Sequence, residues 1–229
     1  MDSGHPEIFH SIQGEGVNAG LPSSFLRLAT CNLACTWCDS KYTWDFKHYQ
    51  YSQQVVELSL SQILERLDKL NCDHVVITGG EPLLQQHELI PLASELSQRG
   101  YFSEVETNGT IKPDPQLAVH ISQWNVSPKT SNSGNRIKVR EVSASYISFR
   151  ELPKAYFKFV VSVPDDIHEI VALVDSYDLC KDRVILMPQG VTPTDLAKRS
   201  AWVADSCTKY GYRFSPRLHI LLWGDERGK

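Results

Sequence analysis

The chain has 229 residues, of which 22% are charged and 41% hydrophobic, and its formal net charge is −4. That length suits one substantial core, or one core with a small appendage, and the composition is not that of a disordered chain. The acidic balance argues against an extended nucleic-acid surface, though not against a small local basic patch, and no apolar run is long enough to span a bilayer as a helix.

Met1–Pro6 lacks the basic stretch and apolar core of a secretory signal. Three of the six cysteines, Cys72, Cys180 and Cys207, stand alone and read as inert thiols, as expected of a chain kept in a reducing cytoplasm. In chain order, Glu7 to Gly16 comes before the first strand-like run, Ser24–Leu28, which carries Arg27. The cysteine loop follows, from Cys31 to Ser40. Leu60, Ile63, Leu64, Leu67 and Leu70 fall at helical spacing, with Ser59 or Ser61 as the cap.

His74–Thr78 is a buried-type strand ending in Gly79-Gly80-Glu81-Pro82. A second helix follows Pro82, carries Leu89, Leu92 and Leu96, and closes at Gly100. Phe102–Val105, Trp124–Val126, Phe157–Val161 and Arg183–Leu186 read as further strands. Residues 130–153 lack periodicity and read as an irregular insertion. Asp165 or Asp166 caps a helix with Ile167, Ile170, Val171 and Val174 on its apolar face. Thr192 or Thr194 opens another that runs through Lys209, and Tyr212–Leu218 looks extended.

This β-loop-α order predicts one α/β domain over 1–229, a partial, open (β/α) barrel of about six parallel strands with reduced helices. Its parts are an N-terminal substrate-binding segment (7–16), a cluster loop (31–40), the insertion and a C-terminal tail (213–229). A doubly wound sheet is the alternative, but its glycine-rich dinucleotide loop is absent.

Cys31, Cys35 and Cys38 are spaced C-x3-C-x2-C. Thiolates this close repel unless a metal or cluster neutralises them. Structural zinc takes four protein ligands, and a cubane cluster held wholly by protein takes four cysteines. No second pair follows here, so three thiolates on a cubane would leave one iron open to a ligand. Spacing alone still allows a zinc loop with a remote fourth ligand.

The other polar motifs follow strand ends, which share one rim in a parallel barrel. Gly79-Gly80 lets a ligand approach the backbone, or merely ends a strand. Glu106 suits ribose hydroxyls or an amine, or is a solvated charge. Ser127 and Lys129 could donate to a carboxylate or ribose, or lie at the surface. Gln13 and Glu15, with neighbouring glycine amides, could read a polar heterocycle edge-on, or form a turn. Arg27 could fork a carboxylate, or be a surface charge.

The C-x3-C-x2-C loop, with Trp37 before its last cysteine and Gly-Gly-Glu-Pro downstream, resembles the radical S-adenosylmethionine (SAM) enzymes. Adding Ile12-Gln13-Gly14-Glu15-Gly16, Arg27 and Asp39-Ser40, the chain is similar to the 7-carboxy-7-deazaguanine synthase family from Glu7 to Trp223. The resemblance implies ring contraction of 6-carboxy-5,6,7,8-tetrahydropterin with loss of ammonia, in queuosine and 7-deazapurine biosynthesis. It further implies a [4Fe-4S] cluster on Cys31, Cys35 and Cys38, and Mg2+ at Ser40, a hydroxyl where some members carry threonine. Trp37, Cys38, Asp39, Gly80, Glu106, Ser127, Pro128 and Lys129 then match SAM contacts. Ile12, Gln13, Gly14, Glu15, Arg27 and Thr78 match substrate contacts, and His219 is the candidate that approaches the substrate carboxylate.

A flavodoxin-like electron donor and a homodimer are implied, with no nucleic acid and no membrane. Trp223 is expected either to stack on ligand or to pack at the dimer contact, and whether the tail enters the site is open. Two other readings remain: a glycyl-radical activating enzyme, which should lack the Gln-Gly-Glu-Gly segment paired with Arg27, and a non-enzymatic metal or iron–sulfur protein, which would need a fourth ligand.

Overall fold

The computed structural model describes residues 4–229, so Met1–Ser3 of the N-terminal segment lie outside the described residues. One sheet holds eight strands in the order of the chain. The six expected runs are β2 (Pro22–Leu28), β3 (His74–Gly79), β4 (Phe102–Thr107), β5 (Gln123–Val126), β6 (Ala155–Val161) and β7 (Val184–Pro188), all parallel. Two more extend the sheet. β1 (Ile8–Ile12) pairs antiparallel with β2, and β8 (Arg213–Phe214) adds a two-residue parallel edge to β7. The edges β1 and β8 do not pair, so the barrel stays open.

Side chains alternate across a strand, and that parity positions the site. On β6, Ala155, Phe157, Phe159 and Val161 join the core beneath the helices, whereas Lys158 and Val160 face the lumen. On β4, Val105 packs outward while Glu104 and Glu106 turn inward, and on β3 Val75 and Ile77 pack outward while Thr78 faces in. Leu67, Leu92, Leu96, Phe149, Ile170 and Val203 of the surrounding helices complete a single outer core.

Two expectations need correction. Residues 130–153 are not irregular: they hold helices Ile137–Arg140 and Ser143–Arg150. Buried Tyr146 and Phe149 anchor the second of these, Phe149 lying edge-on to Trp124 at 5.4 Å between ring centroids. Both helices are too short for a periodic signal in the sequence. The stretch Tyr212–Leu218 is extended only at Arg213–Phe214. Leu218–Trp223 is a short helix, tied down by the Leu218 N–H to Gly14 O bond (2.8 Å) and by buried Ile220.

The helix Leu60–Lys69 is capped by Ser59 rather than Ser61: its hydroxyl accepts from Gln62 N–H, and the Gln62 side chain accepts from Ser59 N–H. Ser59→Ala is therefore expected to cost about 1 kcal/mol in urea unfolding. Ser61→Ala should stay within about 0.5 kcal/mol of the parent.

Candidate active site

The lumen and the rim formed by the C-terminal strand ends enclose one cavity of about 490 Å3. Of the residues singled out in the sequence, it is lined by Ile12, Gln13, Gly14, Glu15, Arg27, Cys31, Cys35, Trp37, Cys38, Asp39, Ser40, Thr78, Gly80, Glu106, Ser127, Lys129 and His219. Pro128 is the exception. It is buried behind the wall and sets Ser127 and Lys129 on either side of itself, with Lys129 Nζ donating to Ser127 Oγ at 2.7 Å.

The cysteine loop forms one wall. None of its thiols is in a disulfide, and each sulfur faces an N–H donor. Leu33 N–H reaches Cys31 Sγ (3.4 Å), Asn135 Nδ2 reaches Cys35 Sγ (3.3 Å) and Trp44 Nε1 reaches Cys38 Sγ (3.4 Å). Burial pushes the Cys31 thiol up to about 11, partly offset by the Leu33 bond. Among the described residues no three His, Cys, Asp or Glu side chains converge on a position for a single metal ion. Three free thiols with an N–H donor at each sulfur, along one wall of a roomy cavity, fit an iron–sulfur cluster in the type of ligand and in the hydrogen bonds that tune its sulfurs.

Close backbone packing brings the rim to this loop. A Cβ on Gly80 would lie 1.9 Å from Thr30 O and 3.0 Å from Cys31 Cβ, so only glycine fits there. Glu81 braces the same rim from within. Fully buried, it accepts from Thr107 Oγ1 (2.7 Å), Leu83 N–H (3.0 Å) and Asn108 N–H (2.6 Å). Burial raises its carboxyl against those bonds. Asn108 then reaches Asn32 of the loop at 2.9 Å. Lys129 Nζ stands 5.5 Å from the centre of the Trp37 ring.

A chain of ion pairs crosses the lumen floor. Lys158, 3% exposed, bridges Glu15 (2.6 Å) and Glu106 (2.9 Å). Arg217 takes the other Glu15 oxygen at 3.0 Å, pairs with Asp39 and donates to Gly190 O at 2.6 Å. Burial opposes ionisation of Glu15, but Lys158 and Arg217 outweigh it and hold the carboxyl well below the usual range. Glu106 is pushed up by burial despite Lys158. Beneath them Glu104 accepts from Gln13, Asn18 (2.7 Å) and Gln123 (3.1 Å), which fixes the Gln13 amide. His219 stands 3.4 Å from Arg217, and a Cβ on Gly14 would lie 1.9 Å from His219 Nδ1.

At the mouth, Arg27 pairs with Glu7 at 2.7 Å. Glu7 also pairs with Arg227, whose guanidinium lies 3.9 Å from the centre of the Tyr42 ring. Gly224–Lys229 line the opening, so the tail enters the site; Trp223 is 36% exposed and does not.

Sequence reasoning missed Lys158, Arg217, Glu104 and the bracing role of Glu81. A signal existed for Lys158, a lone charge inside the apolar strand Tyr156-Phe157-Lys158-Phe159-Val160, and for Glu104 and Glu106, two carboxylates of one parity on one strand. Lys158→Met leaves Glu15 and Glu106 facing each other without their shared cation. It is expected to lower unfolding free energy by roughly 3–5 kcal/mol. Glu106→Gln in the Lys158→Met background should recover part of that loss, as measured by denaturant titration.

Residues 12–115 match the family model of a 4Fe-4S single cluster domain. The chain is 41% identical to a 7-carboxy-7-deazaguanine synthase of Pyrobaculum aerophilum, over 97% of this chain and 96% of the relative. It is 36% identical to one of Halobacterium salinarum, over 96% and 90%. Among solved structures, QueE from Escherichia coli superposes with a TM-score of 0.69 at 26% identity, covering 95% of this chain and 94% of that one.

Proposed function

The chain belongs to the 7-carboxy-7-deazaguanine synthase family, and from that membership we propose which residues serve the reaction and how. The enzyme is a radical SAM lyase that contracts the ring of 6-carboxy-5,6,7,8-tetrahydropterin to 7-carboxy-7-deazaguanine with loss of ammonia. The single observation that carries the assignment of roles is one cavity whose lining brings three thiols together with Gln13, Glu15 and Arg27. An activating enzyme for a protein substrate or a non-catalytic metal protein is not favoured, because the relatives matched over nearly the whole chain are synthases.

Cys31, Cys35 and Cys38 would hold the [4Fe-4S] cluster, leaving one iron for SAM. Bound there, cluster and SAM would supply the one-electron radical chemistry that the ring contraction needs. The protein's task is to place and shield. Trp37, Asp39, Gly80, Glu106, Ser127 and Lys129 border the SAM side, and Pro128 sets the spacing of the last two. Ionised Glu15 is an acceptor-only group. Lys158 and Arg217 use one lone pair on each of its oxygens and leave the others for the N–H donors of a pyrimidinone edge. Gln13, oriented by Glu104, the Ile12 and Gly14 backbone and Thr78 complete that edge.

Arg27 and His219 suit the substrate carboxylate. Ser40 Oγ offers an oxygen for Mg2+, which keeps most of its waters and favours substrate oxygen. The tail residues Gly224–Lys229 shield the mouth from water.

A flavodoxin-like donor, a homodimer covering the open sheet edge, and a cytoplasmic location complete the proposal. No helix of the described residues is long and apolar enough to cross a membrane.

Anaerobic turnover of reconstituted enzyme with SAM, dithionite, Mg2+ and the carboxytetrahydropterin tests the reading. A product lighter by one ammonia, formed many times per SAM, is expected by mass spectrometry. SAM cleavage with the pterin intact would contradict the substrate. Arg27→Ala should weaken pterin binding roughly tenfold or more while SAM affinity holds; equal loss of both would remove its assigned role.

A further inference from the structure

The side of the cysteine loop that faces away from the cavity is solvent-exposed and built from small residues. Asn32, Ala34 and Thr36 are exposed, alternating with Leu33 and Cys35, which are buried. A second segment, 131–135, lies directly against it. Thr36 N–H donates to Ser133 O (3.0 Å), and Ala34 N–H donates to Asn135 Oδ1 (3.0 Å). A Cβ on Gly134 would come within 2.7 Å of Thr36 Cγ2. Asn135 Nδ2 reaches the Cys35 sulfur itself, at 3.3 Å. One side chain thus links a cluster ligand to the backbone of the molecular surface.

Beyond Asn135 the surface turns basic and apolar. Arg136, Ile137, Lys138 and Val139 are consecutive exposed residues, with Ile137 58% and Val139 45% exposed. Residues 130–140 contain three basic side chains and no acidic one, in a chain whose net charge is −4. Arg140 is buried, pairs with Glu169 at 2.7 Å and donates to Asn135 O and Lys129 O, so it anchors the strip to the cluster wall. Arg136 and Lys138 are left facing solvent.

We propose that the strip Arg136–Val139, together with Ala34, Thr36 and Gly134, is the docking surface for an acidic one-electron carrier protein that reduces the cluster. The proposal rests on the radical SAM reading of the site and names the face through which its electron enters. Charge complementarity points to the partner: two free cations on an otherwise acidic molecule attract an acidic surface and steer its approach. Ile137 and Val139 supply the apolar centre that such contacts desolvate. Geometry points to the same place. The cavity side would be taken up by SAM and pterin and is lined at its mouth by Gly224–Lys229, whereas on the opposite side the exposed residues Ala34 and Thr36 flank the buried Cys35 directly in the chain. The step is a transfer of a single electron. The carrier is oxidised by one charge and the cluster reduced by one, with no bond made or broken and no proton moved.

The test uses reconstituted holoenzyme and reduced flavodoxin as the acidic carrier, with dithionite as a partner-free reductant. R136E/K138E is compared with K69E/K154E, which makes the same charge change at the opposite end of the strands. Flavodoxin binding is measured directly by calorimetry, and turnover is measured with each reductant. The strip variant is expected to weaken flavodoxin binding and raise its KM roughly tenfold or more, and to lose most of the salt dependence of the parent. Its dithionite-driven turnover should match the parent, as should both readouts of the control variant.

Unchanged binding and carrier-driven turnover in R136E/K138E would overturn the docking site, as would an equal loss in K69E/K154E. Should dithionite turnover of the strip variant also fall, binding decides: lost binding upholds the site and intact binding overturns it. Absence of dithionite turnover in the parent, with flavodoxin still bound at the strip, would instead count against the assigned reaction.

Discussion

Two cations, Lys158 and Arg217, hold Glu15, Glu106 and Asp39 together across the lumen of an open barrel, and the shape of the pocket depends on that arrangement. Buried carboxylates would normally take up protons or recruit water. Here they stay in place because each cation is shared. Burial still pushes the Glu106 carboxyl up, whereas Glu15, held between both cations, stays ionised and keeps free acceptor lone pairs facing the cavity. Removing either cation would alter both the charge and the position of Glu15 at once.

The same network ties elements remote in sequence to one another. Glu15 lies before β2, Lys158 on β6 and Arg217 after β8, and Asp39 belongs to the cysteine loop. The rim is braced separately, by Glu81 through Asn108 to Asn32. The cysteine wall and the lumen floor are thus each fixed by buried hydrogen bonds, and Arg217 joins the two through Asp39 and Glu15. Preorganisation of this kind lets a ligand meet groups that need little reordering.

Much of this was legible in the sequence. The apolar runs that became β2–β7 are buried on their outer face and carry strong local signals, and the motifs after them mark the rim. β1 was less visible because its Ile-Phe-His-Ser-Ile alternation is weak and its pairing with β2 is set by a turn; β8 is only two residues long. Arg217 was out of reach for a different reason. Its partner Glu15 is 202 positions away, and the turn that delivers it precedes a helix where the sequence suggested a strand. Lys158 needed knowledge of which strand face is the lumen. A charge there reads as an error in a core strand until the barrel is known to be polar inside.

The most direct measurement of the central claim is the affinity of carboxytetrahydropterin for Glu15→Gln beside the parent, with both reconstituted and checked for equal unfolding midpoints. Glutamine keeps the shape and removes the acceptor-only carboxylate that Lys158 and Arg217 hold in place. A fall of roughly tenfold or more is predicted, in line with the loss of charge-assisted hydrogen bonds. An unchanged dissociation constant would contradict the account, because the charged floor would then not be what reads the substrate.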